Sequence, residues 1–257
     1  MKPALDYADS PLPLPAIRRI AADRPVLWLQ AGWHDLKANP LPSLAYGLLF
    51  ALAGDLIILA TLDRPHLLTV SISGFFLIAP LLAAGLNELS RRTAAGEKIL
   101  FIDSVRCFKR NGESLALFGL ILALVALMWE RFSAVAFALL GSSSGIDAGV
   151  FISSLILSGE HTAFIATWFV IGGLLALGVF AISVISVPLM LDHDADVPTA
   201  ILSSLRAFAA NTGPLLLWAA LLVGLTLIGF ATLLFGLVVI MPILGHASWH
   251  AYRDLVE

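Results

Sequence analysis

The chain has 257 residues, 59% of them hydrophobic and only 13% charged, with a mean hydropathy of +0.94. Soluble proteins average about 25% charged residues, so this composition excludes a soluble domain and points to a multi-pass membrane protein. The formal charge of −3 says little as a sum, while the single cysteine, Cys107, excludes an intrachain disulfide and a Cys-rich metal site.

Residues 1–16 hold Lys2, Asp6, Asp9 and four prolines, and lack the apolar core of a signal peptide. A disordered cytoplasmic tail is expected there, ahead of a single six-span membrane domain over 17–257. The first short helix is expected from Pro25 to Asn39, with Asp23 at its N-cap and Pro25 in its first turn. Leu29, Trp33 and Leu36 stand ten, six and three residues before Asn39. Phe101, Val105 and Phe108 repeat that spacing before Asn111, and Ile201, Leu205 and Phe208 repeat it before Asn211. An apolar stripe at helical period with charges off it describes a helix lying in the membrane interface. Three such segments, each ending on an asparagine at a bend, define an internal repeat.

An apolar span follows each asparagine: about Pro42–Leu62, Ser114–Met128 and Pro214–Ile228. Return spans are expected at Leu67–Leu86, Thr162–Leu191 and Thr232–Tyr252, each kinked by an internal proline, Pro80, Pro188 and Pro242. The fold class read from this pattern is an all-α membrane protein of six transmembrane helices. They form three two-helix repeats, about 25–92, 97–192 and 197–253, each preceded by a cytoplasmic interfacial amphipathic helix. With both termini inside, every Lys and Arg except Arg64 and Arg131 is cytoplasmic, as the positive-inside rule asks. Residues 131–161 interrupt the repeat and are expected to form an external insertion, a hairpin of two short apolar runs around Gly141 and Gly145. Gly172 and Ala176 make the better small-residue packing pair.

Four stretches carry a resemblance. They are Trp28-Leu29-Gln30-Ala31-Gly32-Trp33-His34-Asp35-Leu36, Leu86-Asn87-Glu88-Leu89-Ser90-Arg91-Arg92, Ser186-Val187-Pro188-Leu189-Met190-Leu191-Asp192 and Gly245-His246-Ala247-Ser248-Trp249-His250-Ala251-Tyr252-Arg253. Over about Ile17 to Val256 the sequence resembles a family of bacterial integral membrane proteins of unknown function, some of which carry a cytochrome c oxidase subunit label. The resemblance implies an inner-membrane location, with a respiratory complex or another membrane protein as partner. It brings no catalytic residues. A haem–copper oxidase needs more axial and copper histidines than His246 and His250 supply, which leaves an accessory or assembly role.

Two site candidates stand out. His246 and His250 share one helix face, and counting from the kink prolines places Glu88 and Asp192 at matching depths. If the repeats surround one axis, these four converge at the cytoplasmic mouth as a set suited to a divalent metal such as zinc, iron or manganese. The alternative is an interfacial anchor of Trp249, His250, Tyr252 and Arg253, with the histidines bonding freed carbonyls or Asp192. Asp55 lies deep in the first span, where an ionisable group is costly; it is either a functional station or hydrogen-bonded to Ser71 or Ser73. Asp196 and Pro198 suit the start of the third short helix. The basic cluster from Arg91 to Arg110 is explained by topology and anionic lipid, so membrane lipids are the expected partner and nucleic acid is not. No nucleophile–base pair or phosphate loop is legible. Two functions follow: a non-enzymatic scaffold or accessory protein, or a small transporter, channel or metal-handling protein with Asp55 and the His/Asp cluster as polar stations.

Overall fold

Apolar sequences that satisfy their backbone internally can enter a bilayer only as helices or closed barrels, and this chain uses helices. A computed structural model describes residues 14–61, 83–97, 100–140 and 162–256. Their elements run α1 (Arg24–Ala38), α2 (Pro40–Thr61), α3 (residues 83–94), α4 (Phe101–Val105), a 3-10 turn (Arg106–Lys109), α5 (Gly112–Leu140), α6 (Thr162–Ser183), α7 (Ser186–Asp192), α8 (Val197–Ala210), α9 (Thr212–Ala231) and α10 (Leu237–Leu255). Among the described residues the only strand-like feature is an isolated antiparallel bridge between Ile17 and Val256.

Four described stretches are long and apolar enough to cross a membrane: Pro40–Leu59, Gly112–Ser133, Ala166–Asp192 and Thr212–Ala231. The expected return span at Leu67–Leu86 lies largely outside the described residues, as do Pro80 and the Gly141/Gly145 loop. Two boundaries differ from expectation. No glycine or proline follows Met128 before Gly141, and α5 continues past Met128 to Leu140 as one helix, beyond the expected end of the span. The last helix begins at Leu237, not Thr232, because residues 232–236 form a turn in which Leu233 and Leu234 take φ of 53° and 66°. Only the first half of α10 is strongly apolar. Its second half carries His246, His250, Tyr252, Arg253 and Asp254, and the helix is not among the four apolar spans.

The two described kink prolines act as their chemistry requires. Pro188 cannot donate to Val184, and the helix breaks there, at the Val184–Ile185 turn between α6 and α7. Pro242 lies inside the continuous α10 and leaves the Val238 carbonyl without its helical donor. The backbone of α2 covers that carbonyl: a Cβ on Gly47 would overlap it. Gly172 likewise faces a neighbouring helix, meeting Trp129 of α5.

The most extensive helix pairing is α1 on α10, followed by α10 on α2. α1 runs antiparallel to α10. Arg24 forks onto Asp254 at 2.7 and 2.6 Å, and farther in Gly32 lies against Ile243 and Ala247 so closely that a Cβ would sit 2.9 Å from the Ala247 nitrogen. The buried face of α1 is therefore Pro25, Trp28, Gly32, Asp35 and Leu36, while Trp33 of the expected stripe is exposed. Asp23 occupies the N-cap position without a capping bond, whereas Asp196 caps α8 by accepting from the Thr199 amide at 2.9 Å.

Candidate functional site

The three bend asparagines are each bonded across the fold. Each carbonyl accepts from the amide four residues on, from Ser43 to Asn39 at 3.2 Å, Leu115 to Asn111 at 3.1 Å and Leu215 to Asn211 at 3.0 Å, which starts the following helix. Each side-chain amide donates to a different neighbour. Asn39 reaches Thr93 Oγ1 at 2.7 Å, near the end of α3. Asn111 reaches the carbonyls of Met190 and Ala195 at 3.0 and 2.9 Å, at the end of α7. Asn211 reaches the Arg18 carbonyl at 2.9 Å and accepts from the Ile20 amide at 2.9 Å, while the Arg18 amide donates to Leu255 at the end of α10.

A chain of buried polar groups runs beside the first of these bends. His246 of α10, fully buried, has Ser43 Oγ of α2 at 2.9 Å from Nε2 and Ser90 Oγ of α3 at 2.7 Å from Nδ1. Ser90 donates to Asp35 Oδ2 of α1 at 2.6 Å, and the same oxygen lies 2.9 Å from His250 Nε2. Four elements thus meet through five side chains.

Hydrogen-bond arithmetic orients the relay. Ser90 has one proton and gives it to Asp35, so His246 Nδ1 must donate to Ser90. Ser43 lies 2.7 Å from the Asn39 carbonyl and 2.9 Å from Nε2, and its hydroxyl turns to one or the other. Turned to the ring, it leaves His246 neutral; turned to the carbonyl, it requires Nε2 to donate and the ring to be an imidazolium. Burial works to raise the pKa of Asp35, but hydrogen bonds from His250 and Ser90 and the nearby His250 and His246 rings outweigh it, leaving the carboxyl below its ordinary value.

The order serine, histidine, serine, aspartate has the outline of a nucleophile, a base and its orienting acid. Access argues against using it so. Ser43 and His246 have no exposed surface, and Ser90 has 1%, so an acyl substrate has no path to the Ser43 oxygen. The relay also stays beside the Asn39 bend and the α10 C-terminal half, so it is no path through the helices.

The four residues expected to form a metal set fall into three separate groups. His246 and His250 are joined through Asp35, which the sequence pattern did not single out. Glu88, 2% exposed, takes a fork from Arg91 at 2.8 and 2.8 Å and a third bond from Arg92 at 2.7 Å. Burial raises its pKa, and the two guanidiniums overcome that and lower it. Asp192 accepts from the Tyr252 hydroxyl at 2.9 Å, with His193 and Arg253 both at 3.6 Å. Among the described residues no cluster of three or more His, Cys, Asp or Glu could hold a metal ion. Asp55 is on the exposed side of α2. Cys107 is buried, and that burial pushes its thiol up to about 12.

Several long apolar helices with a buried polar layer at one end define a multi-pass integral membrane protein. Residues 67–192, just under half of the chain, match the family described as "Predicted integral membrane protein (DUF2189)", a membrane family of unknown function such as the sequence resemblance indicated. No curated protein and no solved structure matches.

Proposed function

We propose that this protein is a non-enzymatic scaffold of the bacterial inner membrane, with six spans in three repeats and both termini cytoplasmic. Its short helices α1, α4 and α8 would present a fixed surface to a membrane partner such as a respiratory enzyme. The observation that carries this reading is the closed relay of Ser43, His246, Ser90, Asp35 and His250. Its members bond chiefly to one another, and its inner groups Ser43, His246 and Ser90 are closed to a substrate. A fully satisfied buried polar network fixes one arrangement of the elements it joins, here α1 against α2, α3 and α10.

The repeat is supported by the asparagines, each bonded to the end of its own return helix or, for Asn211, to the segment paired with that end. A sixth span through α10 is supported by what its polar half touches: α1 and α3 satisfy it, so lipid need not. The exposed apolar side chains Trp33, Ile102, Leu202 and Leu205 of the three short helices suit a lipid interface or a partner's surface. A transporter needs a polar midplane, and here Asp55 faces outward while the inner wall is apolar.

Native electrophoresis of membranes solubilised in mild detergent, paired with proton and cation flux in proteoliposomes, tests the proposal. A scaffold runs in an assembly larger than itself, loses it in Trp33→Glu or Leu205→Glu, and carries no flux. Migration alone, with a flux abolished by Asp55→Asn or His246→Ala, would make the protein a transporter.

A further inference from the structure

One side of α2 packs into the fold, with Phe50 buried and Gly47 held against Val238 of α10. The opposite side is open. Along it Leu41, Ala45, Leu48, Leu52, Asp55 and Leu59 follow one another in alternating steps of four and three residues. At 3.6 residues per turn that alternation draws one narrow stripe, the seam along which two helices pack at a shallow angle. The four leucines of the stripe are 48–82% exposed, and Asp55 is exposed with them.

Asp55 is the residue that lipid does not suit. It stands fifteen residues beyond Pro40, about 22 Å along an apolar helix. Leu56, Ile58 and Leu59, all exposed, still separate it from the far end of the span. Its side chain is too short to run past that turn to water, as Lys and Arg do. Among the described residues it has neither a hydrogen bond nor an ion pair. The outward stripe of α5, Leu117, Leu120, Leu124 and Leu127, has the same spacing and no polar member. A carboxyl set into such a stripe is costly against lipid and calls for a polar partner on another membrane helix.

Symmetry supplies that partner. A two-fold axis along the membrane normal sets the α2 stripes of two copies face to face and brings the two Asp55 side chains together at equal depth. A carboxyl donates through its proton and accepts through its other oxygen, so two of them satisfy each other. A different protein would have to bring a matching polar group to that depth. We propose that α2 is the contact of a homodimer within the membrane, two copies packing along Leu41 to Leu59 with their Asp55 carboxyls hydrogen-bonded across the axis. Trp33 and Leu205 lie on other helices, so the contact stands or falls separately from the scaffold surface.

The test uses the full chain with one added cysteine, Leu48→Cys on the α2 stripe or Leu124→Cys on the α5 stripe. Each is reconstituted in lipid vesicles over a series of lipid-to-protein ratios, oxidised with iodine and run on non-reducing gels. Leu48→Cys should give a disulfide-linked dimer and Leu124→Cys monomer, with the native Cys107 buried in both. Adding Asp55→Leu to Leu48→Cys should weaken association roughly three- to thirty-fold, the worth of one interhelical hydrogen bond, so that half-dimerisation needs that much less lipid per protein. Asp55→Asn, which can also donate and accept, should keep the dimer. Should Asp55→Leu not fold, the comparison of Leu48→Cys with Leu124→Cys decides alone. Monomer at every ratio, or equal cross-linking from the two cysteines, overturns the contact. So does a dimer that Asp55→Leu leaves unweakened. Vesicles that stay monomeric while Leu48→Cys links to another protein in native membranes overturn the second copy as the occupant.

Discussion

Replacing Asp35 by alanine removes the acceptor on which two donors end, Ser90 Oγ at 2.6 Å and His250 Nε2 at 2.9 Å. A hydrogen bond to a charged acceptor contributes about 1.5–3 kcal/mol. Ser90 is 1% exposed and has no water to turn to, so its loss counts in full and passes on to His246, whose Nδ1 then competes for the same hydroxyl. The His250 side chain is 30% exposed and rehydrates, which reduces its share to about 1 kcal/mol or less. The expected cost is about 2–4 kcal/mol, or about 6–12 °C in melting temperature for a chain of this size. Tryptophan fluorescence melts in mild detergent read it directly, since Trp28 packs against Trp218 at 5.6 Å within the affected layer. A melting temperature within about 1 °C of the unaltered protein would refute the reasoning, because it would mean the relay bonds contribute nothing net.

Four further outcomes follow from the same geometry. Asp35 has a lowered pKa in the folded chain, so its contribution is complete above the ordinary carboxylate value near about 4 and is lost as the pH falls through the lower folded value. The acid-side fall in melting temperature should therefore be steeper in the unaltered protein than in Asp35→Asn, and Glu88, lowered in both, cancels from the comparison. Gly47→Ala sets a methyl on the Val238 carbonyl, a backbone atom that cannot swing aside, and should cost about 1–3 kcal/mol in melts. Gly173→Ala, with open space around its Cβ, should gain up to about 1 kcal/mol from helix propensity. Cys107, buried and with its thiol held near 12, should resist maleimide at neutral pH until the protein is unfolded, as intact mass would record.

What could be read without coordinates was what local pattern controls. The asparagine bends, the apolar helices α2, α5 and α9, the cap at Asp196 and the break before Pro188 follow from periodicity, hydropathy and proline chemistry. His246 and His250 were placed on one face by their spacing alone. Their shared carboxylate was not, because Asp35 is buried by the approach of α10 to Gly32, a contact between residues about two hundred apart in sequence. Nothing in the local run Trp33-His34-Asp35-Leu36-Lys37 distinguishes a buried aspartate from a solvated one. Ser43 and Ser90 were hidden for the same reason. Glu88 did have a local signal, arginines three and four residues on, and those i,i+3 and i,i+4 pairs hold its carboxylate.

The relay as a single cooperative clamp is tested most directly by a double-mutant cycle between Asp35→Ala and Ser90→Ala, with unfolding free energies measured in the same detergent. The two single variants each remove the 2.6 Å bond between them, so the double variant should cost less than their sum by about 1 kcal/mol or more. Costs that add to within about 0.5 kcal/mol would show two independent contacts and no clamp.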